Sequence, residues 1–325
     1  MRLCRYQRDG KIEIGFFEDD AVIPLKGAAA AVGVDVVESD CLLAYLPGGE
    51  ARAAVVAIQQ RLARLLDEER EPLRIGVDEV KLRVPVARPS KLLLLAGNYA
   101  EHIREGGGLA AERAKTFPYV FMKPPSTTLT HPGDPIRIPA VSPDHIDWEI
   151  ELGVIVGKRC HGVSENEALG YVAGYTVVND VSDRRFRPNP GRVERPKDAL
   201  FDWLHGKWHD TFCPTGPCVL PADELPDPQT LRMTLKVNGR VEQDGTTAAM
   251  IFPVAAVIEF ISSFVTLEPG DVISTGTISG TGAAKNKFLR PGDLIEAESN
   301  GSACCGTRCG EAPPADAPGR REPAD

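Results

Sequence analysis

The sequence predicts an α+β protein in which a small leading α+β module, residues 1–85, precedes a mostly β domain, residues 86–310. The leading module combines one hairpin pattern with one amphipathic helical pattern. The second segment contains short β-branched runs separated by Pro and Gly, which is typical of a barrel or a folded set of sheets. The final residues, 311–325, are rich in Pro, Ala and charge, which predicts a disordered tail.

Two patterns define the leading module. The stretch KIEIGFFEDDAVIPL, residues 11–25, alternates apolar and polar residues on either side of an acidic turn, which predicts a hairpin. The stretch EARAAVVAIQQRLARLLDEER, residues 50–70, has apolar residues at helical spacing, which predicts an amphipathic helix. The apolar positions are Val55, Ile58, Leu62, Leu65 and Leu66.

Two elements of the β domain have strong local signals. Asn238-Gly239, within KVNGRV, favours a type I′ turn and therefore predicts a hairpin. The run FPVAAVIEFISSFVTLEPGDVI predicts a helix that ends near Thr266, followed by a turn at Pro269-Gly270.

Composition excludes several classes of partner. The chain has 325 residues and a net charge of -9, which argues against a nucleic-acid partner or an anionic membrane surface. No run approaches the roughly 18 apolar residues of a membrane span, and the N-terminal residues lack the apolar core of a signal peptide. These observations predict a soluble cytoplasmic protein, in which the eight cysteines are free thiols. The CCGTRC cluster with Cys304, Cys305 and Cys309 lacks paired C-x2-C spacing, so a loose polar chain end is favoured over a metal site.

The stretch IDWEIELGVIVGKRC, residues 146–160, places three acids at alternate positions. On a strand, Asp147, Glu149 and Glu151 would share one face and repel one another. Two carboxylates at i and i+2 can close onto one hard cation, and Asp180, at the end of another β-like run, offers a third. Oxygen ligands favour Mg2+, Mn2+ or Ca2+ over zinc. The alternative is an edge strand whose glutamates face solvent.

Two further stretches have residues suited to catalysis. His102 and Glu105 are three apart, so on a helical turn the carboxylate would orient the imidazole as a general base. The alternative is a surface pair at a helix end. Lys207, among the aromatic residues of HGKWHDTFCPTGP, could neutralise an oxyanion or a substrate carboxylate. Taken alone, the residue is better interpreted as a surface lysine whose stem packs on apolar groups.

With these stretches in view, the chain resembles the fumarylacetoacetate hydrolase family over roughly residues 90 to 300. The matching segments, in order, are GNYAEHIRE, FMKPPSTTLTHPGDPIRIP, DWEIELGVIVGK, GYTVVNDVSDR, GKWHDTFCPTGP, VNGRVEQDGTTAAMIF and LEPGDVISTGTISGTG. The resemblance implies a mixed β-roll or barrel-like core, a homodimer and a divalent cation bound by Glu149, Glu151 and Asp180. It also implies a small N-terminal domain at residues 1–85 and a catalytic domain at 86–310.

The same resemblance assigns roles to individual residues. His102 and Glu105 correspond to the family's dyad, on a segment that orders over the substrate, and Lys207 corresponds to its lysine. The residues assigned to substrate binding are Tyr99, Lys123, Arg184 and Thr277.

The implied activity is cleavage of a C–C bond in an acylpyruvate-like or other 1,3-dicarbonyl carboxylate, by water that His102 activates. The cation and Lys207 would stabilise the resulting enolate. The alternative with the same residues is decarboxylation of a 2-oxo acid or tautomerisation of a 2-hydroxydienoate. A less favoured alternative is a non-catalytic protein that the cation stabilises.

The chain departs from the family pattern in two places. After the third metal ligand, Arg184 matches the family, but Arg185 replaces the usual Asp and Arg187 lies near the usual Gln. The basic loop 184–205 is interpreted as a lid for a larger or more anionic substrate, or else as a variable surface loop. At the other end, NGSACCGTRCGE stands where the family has a strand with G-x-L-x-N, so the sequence leaves the last strand open. Asp147 has no ligand role in the family pattern and is expected to be paired or solvated at the start of its strand.

Overall fold

The computed structural model describes residues 1–300 and 302–311, and 19 strands and eight α-helices lie within them. The first ten strands are β1 (Arg2–Arg8), β2 (Lys11–Phe17), β3 (Ala21–Pro24), β4 (Ile75–Gly76), β5 (Lys81–Arg83), β6 (Leu92–Ala96), β7 (Tyr119–Met122), β8 (Leu129–Thr130), β9 (Ile136–Ile138) and β10 (Ile146–Asp147). The others are β11 (Ile150–Val156), β12 (Val172–Asn179), β13 (Ser182–Asp183), β14 (Cys213–Pro221), β15 (Arg232–Val237), β16 (Arg240–Thr246), β17 (Val272–Thr277), β18 (Leu294–Ser299) and β19 (Ser302–Glu311). The helices are α1 (Leu25–Val32), α2 (Arg52–Leu62), α3 (Asp67–Arg70), α4 (Ala100–Glu105), α5 (Pro125–Thr128), α6 (Glu165–Ala168), α7 (Asp198–His205) and α8 (Val254–Ser262).

A twelve-stranded mixed sheet runs through the molecule in the order β4-β3-β2-β1-β14-β12-β11-β17-β6-β7, with β5 on β1 and β8 on β14. Its central strands β11 and β12 are buried along their whole length, because apolar residues cover both faces. A buried strand needs hydrophobic residues on both sides, which explains the continuous apolar run of β11. The acids at the ends of these two strands are therefore placed deep inside the protein.

The leading residues share this sheet with the rest of the chain. β1 pairs antiparallel with β14, and Leu3 lies opposite Val219. The predicted hairpin is confirmed as β2 and β3, and the predicted helix begins at Arg52 but stops at Leu62, before the short α3. The domain boundary at residue 85 stays a prediction; the sheet itself continues across it.

A second sheet has five strands in the order β16-β15-β18-β19-β9. Asn238 and Gly239 both have positive φ, 52° and 76°, so the turn between β15 and β16 is confirmed. The last strand, which the sequence left open, is present: Ser302–Glu311 pairs with β18 and β9. The expectation of a loose chain end around the CCGTRC cluster was therefore wrong. Backbone pairing on both sides makes the strand, although the sequence lacks the family's terminal pattern. The predicted tail after residue 311 lies outside the described residues.

The α+β class is confirmed, with a large mixed sheet and few helices. The sheets formed by the described strands do not close, so the barrel-like description is not confirmed. α8 ends at Ser262 rather than near Thr266. In the described part of the chain, no helix combines the length and apolarity needed to cross a bilayer.

Candidate active site

The strand that was predicted to contain all three acids of residues 147–151 is broken. Asp147 ends β10, which pairs with β13, whereas β11 begins only at Ile150. Side-chain amides replace the missing ladder bonds at the break: Asn179 Oδ1 accepts from the Glu149 backbone N–H at 2.9 Å, and Gln243 Oε1 accepts from Ile150 at 2.9 Å. The expectation that the three acids share one face of a continuous strand was therefore wrong. The break separates Asp147 from Glu149 and Glu151.

Glu149, Glu151 and Asp180 come together at the ends of β11 and β12. One carboxylate oxygen from each lies within 4.8 Å of the others, and all three residues are buried. Asp180 directly follows β12, as its position after an apolar run predicted. Within the described residues this is the one cluster of acids, histidines or cysteines compatible with a metal ion.

Lys207 lies between two members of this triad. Its Nζ donates to Glu149 Oε2 and to Asp180 Oδ2, each at 2.5 Å. On the other side of Glu149, the Arg184 guanidinium donates to Oε1 at 2.5 Å. Burial raises the pKa of Glu149, but the charges of Arg184 and Lys207 outweigh burial and hold it well below the usual range. Burial lowers the pKa of Lys207, but Asp180 and Glu149 raise it above its ordinary value.

Glu151 is in a different electrostatic environment. Its Oε2 accepts from Ser274 Oγ at 2.6 Å and from the Gly276 N–H at 2.9 Å. Burial, and then the charges of Asp180 and Glu149, raise the pKa of Glu151 to about 8. Counting Asp147, four buried carboxyls lie beside three side-chain cations, Lys123, Arg184 and Lys207. Acids therefore outnumber cations here, and a divalent cation would balance the excess negative charge.

His102 and Glu105 form the predicted dyad on α4. His102 Nδ1 lies 2.9 Å from Glu105 Oε1, and Nε2 lies 3.8 Å from Glu149 Oε1 in the triad. Glu105 also accepts from the Gly280 N–H at 2.7 Å and from Thr281 Oγ1 at 3.1 Å. Although burial raises the pKa of Glu105, the bonds from His102 and Gly280 lower it below its ordinary value. An ionised carboxylate only accepts, so Nδ1 carries a proton, and Nε2 is the ring nitrogen that can act as a base.

These groups face one cavity of about 560 Å3. Its polar lining residues are His102, Glu105, Glu149, Glu151, Arg184, Lys207, Thr277 and Thr281. Its other lining residues are apolar or glycine. The cavity therefore brings together the predicted dyad, the lysine, Arg184, Thr277 and two of the predicted metal ligands.

Two residues predicted to bind substrate lie outside this lining. Lys123 is fully buried, donates to the carbonyls of Val181 at 2.9 Å and Phe212 at 2.5 Å, and forms an ion pair with Asp180. Tyr99 is 2% exposed, and its hydroxyl has no hydrogen-bond partner within the described residues. Substrate contact by either residue stays a prediction. Lys123 instead pairs with Asp180 and does not line the cavity.

Thr277 lines the cavity, but its hydroxyl is already engaged. Oγ1 donates to the Ile150 carbonyl at 2.8 Å and accepts from Gln243 Nε2 at 2.9 Å. Gln243, which also bonds Ile150 N–H, was not among the predicted site residues. Its position in a hairpin strand gave no sign that the side chain would reach across to β11 and β17.

Asp147 was expected to be either paired or solvated, and the structure shows it paired. It is fully buried; Oδ2 accepts from Arg184 Nε at 2.7 Å and from the Ala283 N–H at 3.0 Å, and Oδ1 accepts from the Gly282 N–H at 2.6 Å. Burial raises the pKa of Asp147 despite the nearby Arg184. The Asp147 carboxylate thus links Arg184, which also pairs with Glu149, to the loop 278–287 that lines the cavity.

Glu242 anchors the far end of the same loop. Its carboxylate is 2% exposed, accepts from Lys285 Nζ at 3.0 Å and forms an ion pair with Lys287. Burial raises the pKa of Glu242, but the bonds from Lys287 and Lys285 lower it below its ordinary value.

Glu242→Gln is expected to destabilise the protein more at pH 7 than at pH 3. A carboxyl whose folded pKa is lowered contributes stability above its unfolded pKa of about 4.3, and this contribution is lost as the pH falls through the folded pKa. The loss at pH 7 is expected to be about 1 kcal/mol, since charged hydrogen bonds are broken. Urea unfolding at both pH values measures it. An equal loss at pH 7 and pH 3 would contradict the assignment.

The basic loop 184–205 was interpreted as a lid for an anionic substrate. Most of its charges pair within the loop: Arg187 with Glu194, Arg192 with Asp198 and Asp202, and Arg195 with Asp198. Of the residues in this loop, only Arg184 and Trp203 line the cavity. The loop keeps a net positive charge, because its six basic residues outnumber its three acids, but only Arg184 of the six lines the cavity. The structure therefore does not favour a cationic lid over the cavity.

Comparison with known proteins decides the family. Residues 91–309 match the fumarylacetoacetate (FAA) hydrolase C-terminal family. The chain belongs to the fumarylacetoacetate hydrolase family. A 2,4-didehydro-3-deoxy-L-rhamnonate hydrolase of Sphingomonas sp. (strain SKA58) is 37% identical over 300 residues, 91% of each chain. A mitochondrial oxaloacetate tautomerase of Rattus norvegicus is 32% identical over 305 residues, 91% of this chain and 89% of its own.

The fold comparison agrees. The crystal structure of maleylpyruvate hydrolase from Sphingobium sp. SYK-6, in complex with manganese(II) and pyruvate, superposes with a TM-score of 0.70. It is 27% identical, and the match covers 96% of this chain and 100% of that one. The protein is thus an enzyme of the fumarylacetoacetate hydrolase family, whose similar members include hydrolases and a tautomerase.

Proposed function

We propose that this enzyme is a divalent-metal-dependent hydrolase that cleaves a C–C bond in an acylpyruvate-like or other 1,3-dicarbonyl carboxylate. One observation carries the proposal: the His102–Glu105 dyad faces the acidic triad across the same cavity, with Nε2 of His102 3.8 Å from Glu149. Water attack on a dicarbonyl that chelates a metal requires a general base, a hard-metal site and a nearby cation. The dyad, the acidic triad and the buried Lys207 are suited to these three roles.

The residues fit a hard divalent cation. Glu149, Glu151 and Asp180 supply only carboxylate oxygens, lie within 4.8 Å of one another and are buried, so we assign them as the ligands. We favour Mg2+, with Mn2+ or Ca2+ as alternatives, and the relative crystallised with manganese supports a site of this kind. When bound, such a cation polarises a chelated carbonyl and offsets negative charge that develops on oxygen. Lys123 positions Asp180 from behind, since it pairs with that carboxylate.

The protein groups then divide the remaining work. His102 Nε2 takes a proton from water, whose oxygen attacks the carbonyl carbon distal to the carboxylate. Glu105 keeps the proton on Nδ1 and stabilises the imidazolium that forms. The C–C bond breaks, and its electron pair becomes an enolate, whose charge Lys207 stabilises. Protonation of the enolate carbon, by the imidazolium or by solvent, gives the 2-oxo acid, and the other product is a carboxylic acid.

A second candidate is decarboxylation or tautomerisation of a 2-oxo acid with the same groups. The similarity to an oxaloacetate tautomerase favours tautomerisation in particular. In that reaction His102 would move a proton between carbon and oxygen of the substrate, with no water attack.

Incubation with acetylpyruvate and with oxaloacetate separates the two candidates. We expect the enzyme with Mg2+ to convert acetylpyruvate to pyruvate and acetate, as followed by NMR. The activity should disappear in EDTA and return on addition of Mg2+. If the enzyme converted oxaloacetate but not acetylpyruvate, the hydrolase proposal would be wrong. The homodimer and the cytoplasmic location stay predictions.

A further inference from the structure

The basic side chains in the cavity are already paired with carboxylates. Arg184 donates to Asp147 and Glu149, Lys207 donates to Glu149 and Asp180, and His102 pairs with Glu105. These are the three basic side chains among the described residues that line the cavity. Arg184 and Lys207 both contact Glu149, so the positive charge is concentrated at the triad, where the proposed function places the head of a 2-oxo acid.

The rest of the cavity wall lacks groups that would bind a second charge. The remaining side chains are those of Leu95, Ala96, Ile103, Phe121, Trp203, the alanines 283 and 284, and two threonines. The hydroxyls of the threonines already donate, Thr277 to the Ile150 carbonyl and Thr281 to Glu105. The backbone N–H groups of Gly106 and Gly108 are engaged within the α4 turn, by the carbonyls of His102 and Ile103. A carboxylate moved from water to this part of the cavity would lose its hydration without gaining a cationic partner.

Two aromatic residues of this wall, Phe121 and Trp203, also line a second, apolar cavity. Phe121 and Trp203 meet edge to face, with ring centroids 4.9 Å apart. Together with Ala96 they also line a second cavity of about 740 Å3, whose other lining residues within the described chain are all uncharged. Most of these are large, namely Phe117, Tyr119, Leu200, Phe201, Phe260 and Phe264. The second cavity therefore supplies no cation for a distal carboxylate either.

We propose that the cavity selects monocarboxylic substrates whose acyl part is an apolar alkyl or aryl group, and that it discriminates against substrates with a second carboxylate. This inference rests on the proposed function for the position of the 2-oxo acid head. It would distinguish the enzyme from a relative that acts on maleylpyruvate, whose distal end is charged. Phe121 and Trp203 would contact the apolar acyl group, which favours it through burial of apolar surface.

Binding of two length-matched acids tests the inference without depending on hydrolysis. 2-Oxooctanoate and 2-oxooctanedioate lack the second carbonyl, so the proposed C–C cleavage cannot consume them. With Mn2+ present, calorimetry is expected to show at least about tenfold tighter binding of the monoacid, because the diacid must bury an unpaired charge. Equal or tighter binding of the diacid would overturn the inference, and so would failure of both acids to bind. Failure of acetylpyruvate cleavage, with the monoacid preference intact, would instead overturn only the hydrolase proposal.

Two variants locate the selectivity. Ala284→Arg places a cation on the cavity wall and should improve diacid binding by about tenfold relative to the monoacid. Ala30→Arg, on the exposed face of α1 in the leading module, is the matched control and should leave the ratio unchanged. Trp203→Ala should weaken 2-oxooctanoate more than pyruvate, which has only the head. Equal weakening of both ligands would show that Trp203 does not contact the acyl group, and would count against the inference.

Discussion

Lys207→Met is expected to lower kcat for acylpyruvate cleavage by about 10^2 to 10^3, because the enolate loses a preorganised charge donor. The variant should also lose stability in EDTA. Lys207 Nζ lies 2.5 Å from both Glu149 and Asp180, and its removal leaves two buried carboxylates without this partner. Removal of one member of a buried ion pair costs about 3–5 kcal/mol. Thermal unfolding with and without Mg2+, together with steady-state kinetics, measures both effects.

Lys207→Arg is the matched control for this prediction. It keeps the charge, so the stability in EDTA should stay closer to that of the wild type. A planar guanidinium cannot reproduce the contacts of a compact ammonium, and activity should remain low. Mg2+ should raise the melting temperature of Lys207→Met more than that of the wild type, because the cation restores the missing countercharge. Full activity in Lys207→Met would rule out a role in charge stabilisation.

His102→Gln is expected to lower kcat by about 10^2 to 10^4, the range that a general base contributes. Stability should change little, since the side chains of His102 and Glu105 are each 19% exposed and lie on the short helix α4. Affinity for Mg2+ should persist, because Glu149, Glu151 and Asp180 are untouched. Kinetics, thermal unfolding and metal titration together give the test.

Glu101→Gln, an exposed neighbour on α4, is the control for His102→Gln and should behave like the wild type. If His102→Gln retained full hydrolysis of acetylpyruvate, water activation would have to come from another group. If it lost stability as well as activity, the dyad would be structural. The hydrolase proposal therefore depends on a selective loss of turnover.

The parts of the fold that the sequence predicts well are those with local causes. The turn at Asn238-Gly239 follows from the positive φ that these two residues tolerate. The acidic triad was predictable because Glu149, Glu151 and Asp180 flank apolar runs, where an unpaired acid is costly.

The parts that were mispredicted or left open depend on contacts between distant segments. The break before Ile150 requires the side chains of Asn179 and Gln243 to replace ladder bonds, and no local pattern in residues 146–156 encodes this. The strand Ser302–Glu311 forms because β18 and β9 offer edges on both of its sides, a property of the sheet rather than of its own sequence. Closure of a barrel is likewise decided by the arrangement of all strands together.

The loop that carries Ala283 and Ala284 has its backbone fixed from outside. Asp147 bonds the N–H groups of Gly282 and Ala283, and a Cβ added at Gly282 would meet the Asp147 carboxylate at 2.6 Å. A side chain at residue 282 would therefore clash. The two alanines that follow are exposed, and replacing their side chains leaves the backbone hydrogen bonds to Asp147 intact. Under the proposed selectivity, substitutions at 283 and 284 would change the preferred substrate, while the residues assigned to the chemistry keep their positions.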